Sequence, residues 1–237
     1  MPTGLTYSTY RTQIATLAVV EETDPNFLIV LPMAIDYAEL RICRDLDFLF
    51  TSSANSSYSL TANLRQLSVP QGTFVVTEQI NVITPAGTVN PELGTRNPLM
   101  PATKEFLDAV YGSPSGAGLP KYYCAFNDNL FLVGPFPDQN YRVEIVGTIR
   151  PAPLSVSNPT TFISSYLPDL FVMASMIYIT GYQRNFGKIA DDPAMAVTYE
   201  QQYQTLLKGA MMEEVRKKYE ASAWSSQSPS PVATPTR

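Results

Sequence analysis

Histidine is absent from this chain. Its absence removes the Ser-His-Asp and Cys-His routes to an activated nucleophile, together with every zinc site that relies on imidazole. Cysteine is nearly absent: Cys43 sits in a helical pattern and Cys124 in a strand-like one, so two buried thiols are expected rather than a disulfide. No apolar run approaches the ~20 residues that span a bilayer. The opening MPTGLTYSTYRTQ also lacks the basic-then-apolar order of an export signal. The chain therefore reads as soluble, unexported and without a membrane partner. Positive charge is scarce as well: 16 Lys and Arg stand against 21 Asp and Glu, for a net charge of -5. Gripping DNA through its phosphates needs clustered cations, so that mode is not expected.

What is present is enough for a folded body. With 237 residues and 45% hydrophobic content the chain can bury one large core or two small ones.

The acidic residues read as structural. Asp24 before Pro25, and Asp191-Asp192 before Pro193, carry the pattern of a helix cap followed by proline in the first turn. Glu213 and Glu214 lie at helical spacing from Arg216, Lys217 and Lys218 and read as a solvated charged face. Asp45 and Asp47 close a helix without a common focus. The loop GSPSGAG at 112–118 has no Lys-Ser/Thr after its glycines, so it is a surface loop and not a phosphate cradle. No catalytic residue, cofactor site or metal site is expected. A hydrolase working through two carboxylates would need an acid in an apolar setting, and none stands out.

Helical periodicity dominates both ends. Tyr7, Tyr10, Ile14 and Leu17 repeat along one helical face, and after the break EETDPN a second stripe follows through Leu28, Leu31, Ile35, Ala38, Ile42 and Leu46. Pro32 predicts that this second helix becomes regular only there, with 25–31 as a separate turn. Its opposite face is expected to carry Glu39, Arg41, Arg44 and Asp45. Leu170, Ala174, Ile177, Tyr178 and Gly181 share a face of a third helix that Pro168 starts and Asn185-Phe186-Gly187 ends. Tyr199, Tyr203, Leu206 and Ala210 continue a fourth to near Tyr219.

Between them the period changes to two. YSLTA, RQLSV, TFVVTEQINVI, KYYCAF, NLFLVG and YRVEIVGTI read as strands separated by Pro, Gly and Asn clusters, with one short helix at 103–111. The aromatics Tyr122, Tyr123, Phe126, Phe131, Phe136 and Tyr141 read as core, because only Lys121 and Arg142 lie near enough to suggest a stacking platform for nucleic acid. The expected class is α+β. A helical bundle of two N-terminal helices (1–50) and two C-terminal helices (151–220) carries an inserted β-rich domain (51–150), and an extended tail follows (221–237).

That tail, ASAWSSQSPSPVATPTR, has no acid and a single large apolar residue, Trp224. It cannot bury enough surface to offset its own ordering. It reads either as a frayed end or as a segment that orders on a partner with Trp224 as anchor.

The order of parts resembles a known family, the head-to-tail adaptor (connector) proteins of short-tailed, double-stranded DNA bacteriophages. The resemblance is carried by LPMAIDYAELRICRDLDFL at 31–49, by GLPKYYCAFNDNLFLVGPFPDQNYRVEIVGTIRPAPLS at 118–155, and by LPDLFVMASMIYITGY at 167–182. The helix with YEQQYQTLL and EEVRKK follows. Residues 51–100 match least. The resemblance implies a structural protein of the virion tail or neck, assembled in the host cytoplasm. Twelve copies would form a ring under the portal protein and continue the channel through which double-stranded DNA passes without specific binding. The tail would dock on the portal, and the lower face would meet tail nozzle or tail fibre proteins. Carried onto this chain, the docking residues are Trp224, Pro229, Pro231 and Arg237, rooted at Arg216, Lys217 and Lys218. Another tail, collar or head-completion component of the virion is the alternative.

Overall fold

The computed structural model describes residues 4–183 and 194–222, with six helices, eight strands and three single 3-10 turns. It divides into two compact units, one made of residues up to Leu49 and from Ala152 onward, the other of Phe50–Pro151.

The first unit is helical. Helix α1 (Tyr7–Ala18) begins with a capping box in which Thr6 and Thr9 satisfy each other's backbone. Helix α2 (Pro25–Asp45) begins where Asp24 accepts from Asn26 and Phe27 N–H, with Pro25 in the first turn. The aspartate-proline cap read from the sequence is therefore present. Pro32 does not delay the helix, however; α2 runs unbroken through it. Pro32 is exposed, so the Leu28 carbonyl that loses its helical donor faces water. FISSY, not expected as a separate element, forms a short helix α4 (Phe162–Tyr166) with its own Thr161–Ser164 capping box. It leads into α5 (Pro168–Gln183), and α6 (Ala194–Ser222) is the last element.

Helix α5 packs against α1, α2, α4 and α6, and for that reason it is apolar on more than one face. Leu170, Phe171, Val172, Ala174, Met176 and Ile179 are all buried. Tyr10 of α1 stacks on Phe171 at 4.6 Å, and its hydroxyl donates to Ser175 Oγ at 2.7 Å, so the polar atom it carries into this core is paired. Burial holds the Tyr10 hydroxyl well above the ordinary phenol range.

The second unit is a sandwich of two four-stranded sheets. One sheet has the order β1-β8-β3-β4, from β1 (Ser52–Leu60), β8 (Tyr141–Thr148), β3 (Val76–Thr84) and β4 (Thr95–Pro98), all antiparallel. The other has the order β2-β7-β6-β5, from β2 (Gln66–Ser68), β7 (Leu130–Gly134), β6 (Tyr122–Asn127) and β5 (Met100–Pro101), with only β5 parallel to its neighbour. Leu60, Ile80, Val82, Val143 and Ile145 from the first sheet meet Leu67, Phe131 and Val133 from the second in one buried cluster. That alternation of inward apolar residues on both sheets is what holds them face to face. The short helix α3 (Lys104–Val110) lies where the period predicted it, capped by Thr103.

Two expectations fail here. The aromatics are not uniformly core: Tyr123, Phe131 and Tyr141 pack in the cluster, whereas Phe126 is exposed and Tyr122 joins Phe106 and Tyr111 in a half-exposed group on α3 and β6. The thiols are not fully buried either; Cys43 and Cys124 are each half-buried, in separate units, with no disulfide between them.

Candidate assembly interface

The residues expected to root the tail all lie on α6, and the structure gives them unlike environments. Arg216 is exposed and makes no ion pair among the described residues. Lys217 is held inward: its Nζ lies 2.7 Å from Glu214 and 2.9 Å from Glu213, and 5.4 Å from the centre of the Phe162 ring. Lys218 pairs with Asp47, just beyond the end of α2. Glu214 is buried, at 5% exposure, and accepts from Leu49 N–H at 3.4 Å as well as from Lys217. The charges EEVRKK are therefore a solvated face only in part: Glu213 and Arg216 are exposed, Glu214 is buried, and Lys217 and Lys218 are half-buried in ion pairs. Glu214 follows Ala210 by four residues and Tyr203 by eleven, which sets it on the buried stripe of the helix. This polar knot joins α6 to α4 and to the end of the α2 segment, and only Arg216 of the three cations is left for an external partner. Trp224, Pro229, Pro231 and Arg237 lie outside the described residues, as do the caps read at Asp191-Asp192 and the helix end read at Asn185-Phe186-Gly187.

A second polar cluster joins α2 to α6 further along. Arg41 donates to Glu200 at 2.5 Å and lies over the Tyr203 ring at 4.3 Å, while the Tyr203 hydroxyl donates to Asp45 at 2.6 Å. The Arg41 guanidinium holds the Glu200 carboxyl below its ordinary range. Burial, reinforced by the Asp45 carboxylate, holds the Tyr203 hydroxyl far above its own. Asp45 and Asp47 thus each bind α6 but at different points, consistent with their lack of a common focus.

Glu39 is the residue the sequence misplaced most. It is not on the outer charged face of α2: it is 9% exposed, one position along from Ala38 on the buried stripe. Its two carboxylate oxygens accept from Leu154 N–H, each at 3.3 Å, and Oε1 also accepts from the Thr161 hydroxyl at 3.2 Å. Burial pushes its carboxyl up to about 7, against the pull of the Thr161 and Leu154 bonds and with a smaller push from Asp36. It is an acid in a desolvated setting, of the kind the sequence did not reveal. Its oxygens are turned to the returning chain, which it fastens to α2.

On the outer face of the first sheet Glu144 is also buried, and it receives Arg96 Nε at 2.8 Å and Asn81 Nδ2 at 3.1 Å. Burial alone would raise its carboxyl; these two donors outweigh it and hold the group low. Arg96 spans from Glu144 to Glu92, tying the loop after β3 back to the sheet. No group of His, Cys, Asp and Glu that could hold a metal ion occurs among the described residues. No helix among them is long and apolar enough to cross a membrane.

Many of the acidic and basic side chains are thus spent on joining the chain's own segments. Among the curated proteins no match to the chain was found. The family model described as SU10 adaptor protein matches residues 5–234, all but a few residues at either end. Near-complete coverage of two dissimilar units in one pass means that the match is to the whole arrangement and not to one module, and it agrees with the resemblance carried by residues 31–49, 118–155 and 167–182. The chain belongs to the SU10 adaptor protein family and is a phage head-to-tail adaptor, a structural component of the virion.

Proposed function

We propose that identical copies of this chain form a ring between the portal protein and the tail, continuing the channel through which double-stranded DNA passes. The observation that carries the proposal is the family match across residues 5–234. The net charge of -5 supports it, because a channel wall that repels phosphate lets DNA slide instead of gripping it. In this reading the lower face of the ring meets tail nozzle or tail fibre proteins, and twelve copies complete the ring in the host cytoplasm. The chain after α6 is the portal-docking tail, with Trp224 as anchor, Pro229 and Pro231 keeping it extended, and Arg237 at its end. Arg216 contributes at the root. Lys217 and Lys218 act indirectly, by fixing the direction in which α6 delivers the tail.

Deletion of residues 223–237 tests the docking part of this proposal. The truncated protein is expected to keep the helical circular-dichroism signal of the full chain and to lose attachment to the portal oligomer of the same virus. Undiminished attachment would remove the tail from the portal joint.

A further inference from the structure

Two helices of the first unit carry apolar stripes that are exposed among the described residues. On α2, Leu28, Ile29, Pro32 and Met33 are exposed and share one face, and Asp36 lies on the same face one turn further on, exposed and without an ion-pair partner among the described residues. On α6, Met211, Met212, Val215 and Tyr219 are exposed along the face opposite Tyr203 and Glu214. Lys208 sits on that face and Arg216 beside it, both exposed and making no ion pair among the described residues.

The two stripes cannot cover each other within one copy. The apolar part of the α2 stripe ends at Met33, twelve residues before the end of the helix at Asp45, which is about 18 Å along its axis. The α6 stripe lies at the far end, where Lys218 pairs with Asp47 and Glu214 takes the Leu49 N–H. It also points away from the side on which α6 meets α2. Among the described residues of one copy, neither stripe covers the other.

Charge decides which occupant fits. Two α2 stripes face to face would set Asp36 against Asp36, and two α6 stripes would set cation against cation; like charges juxtaposed across an interface are strongly unfavourable. An α2 stripe against an α6 stripe brings apolar surface to apolar surface and Asp36 to Lys208. Contact between two unlike faces of the same chain is head-to-tail, the type of contact that a ring of identical copies requires.

We infer that the copy-to-copy joint of this protein is formed by the acidic apolar stripe of α2 on one copy and the basic apolar stripe of α6 on the next, with Asp36 opposite Lys208. The inference rests on the ring proposed above and names the surface that makes it. Both charges are exposed and in no ion pair among the described residues; Asp36 also adds a small push to the Glu39 carboxyl, so the stability of each variant is measured beside its assembly.

Asp36→Lys, Lys208→Asp and the double variant are compared with the full-length wild type by mass photometry, alone and on the portal oligomer. Circular dichroism checks the fold of each. Each single reversal is expected to weaken copy-to-copy association by about tenfold or more, and the double reversal to restore it to within about threefold. Single variants that assemble like the wild type, or a double variant no better than the singles, overturn the α2–α6 joint while leaving the ring standing. A wild type that never associates, alone or on the portal, overturns the ring itself and this joint with it.

Discussion

Glu39→Gln isolates the cost of keeping a carboxylate inside the helical unit. In the folded protein burial lifts the Glu39 carboxyl from 4.5 to about 7. Between those values the folded state holds a proton that the unfolded state has released, so folding stability is full below 4.5 and falls as pH rises through about 7. The interval corresponds to about 3 kcal/mol, a large part of the stability of an ordinary domain. Glutamine has the shape of the protonated acid and can still accept from Leu154 N–H and the Thr161 hydroxyl, but it has no proton to lose. The substitution therefore removes the pH-dependent loss without removing the fastening. The Asp36 charge adds a smaller push to the Glu39 carboxyl, and Asp36→Asn is expected to reduce the loss slightly. Urea unfolding followed by helical circular dichroism from about pH 4 to about pH 8 is the assay, with the stability of the glutamine variant minus that of the wild type as the readout. That difference is expected to grow in favour of glutamine by about 3 kcal/mol across the range. If the two proteins keep parallel profiles, or the variant loses ground as pH rises, the reasoning about Glu39 is wrong.

Removing the hydroxyl in Tyr203→Phe deprives Asp45 of its 2.6 Å donor and leaves it with Arg41 at 3.7 Å; thermal melts are expected to show a loss of about 1–2 kcal/mol, and an unchanged melt would mean that the α2–α6 cluster does not hold these helices together. Gly147 lies on central strand β8, and a methyl group there would meet the Val76 carbonyl, with Phe74 at 3.0 Å and Thr77 at 3.2 Å. Gly147→Ala is accordingly expected to destabilise the sandwich by about 1–3 kcal/mol in the same assay, whereas a variant as stable as the wild type would show that β3 can shift without loss.

Sequence periodicity located the elements that have one wet side. The second helix was readable because Leu31, Ile35, Ala38 and Ile42 recur at three and four residues and are all buried, and Asp24-Pro25 marked its start. Pro32 misled because the loss of one helical hydrogen bond is tolerated where the proline lies on the exposed side of the helix, as it does here. In β1, SSANSSYSL has no apolar alternation, and β4 and β5 are short and contain proline. Edge strands of this kind are held by their neighbours and not by their own propensity. The buried acids were the hardest part. Glu39 finds its partners 115 and 122 residues away, and Glu214 finds Leu49 at 165, separations over which no local pattern reaches. Their positions did carry a signal: each lies on, or one place from, an apolar stripe, where a carboxylate needs donors brought by another segment. The family resemblance, by contrast, rested on the order of segments along most of the chain, which is what the match over residues 5–234 measures.

Mass photometry of the full-length protein, alone and mixed with the portal oligomer of the same virus, tests the proposed role most directly. The account predicts a complex whose mass rises in steps of 26.1 kDa and saturates at a complete ring on the portal. A protein that leaves the portal mass unchanged at every concentration would contradict it.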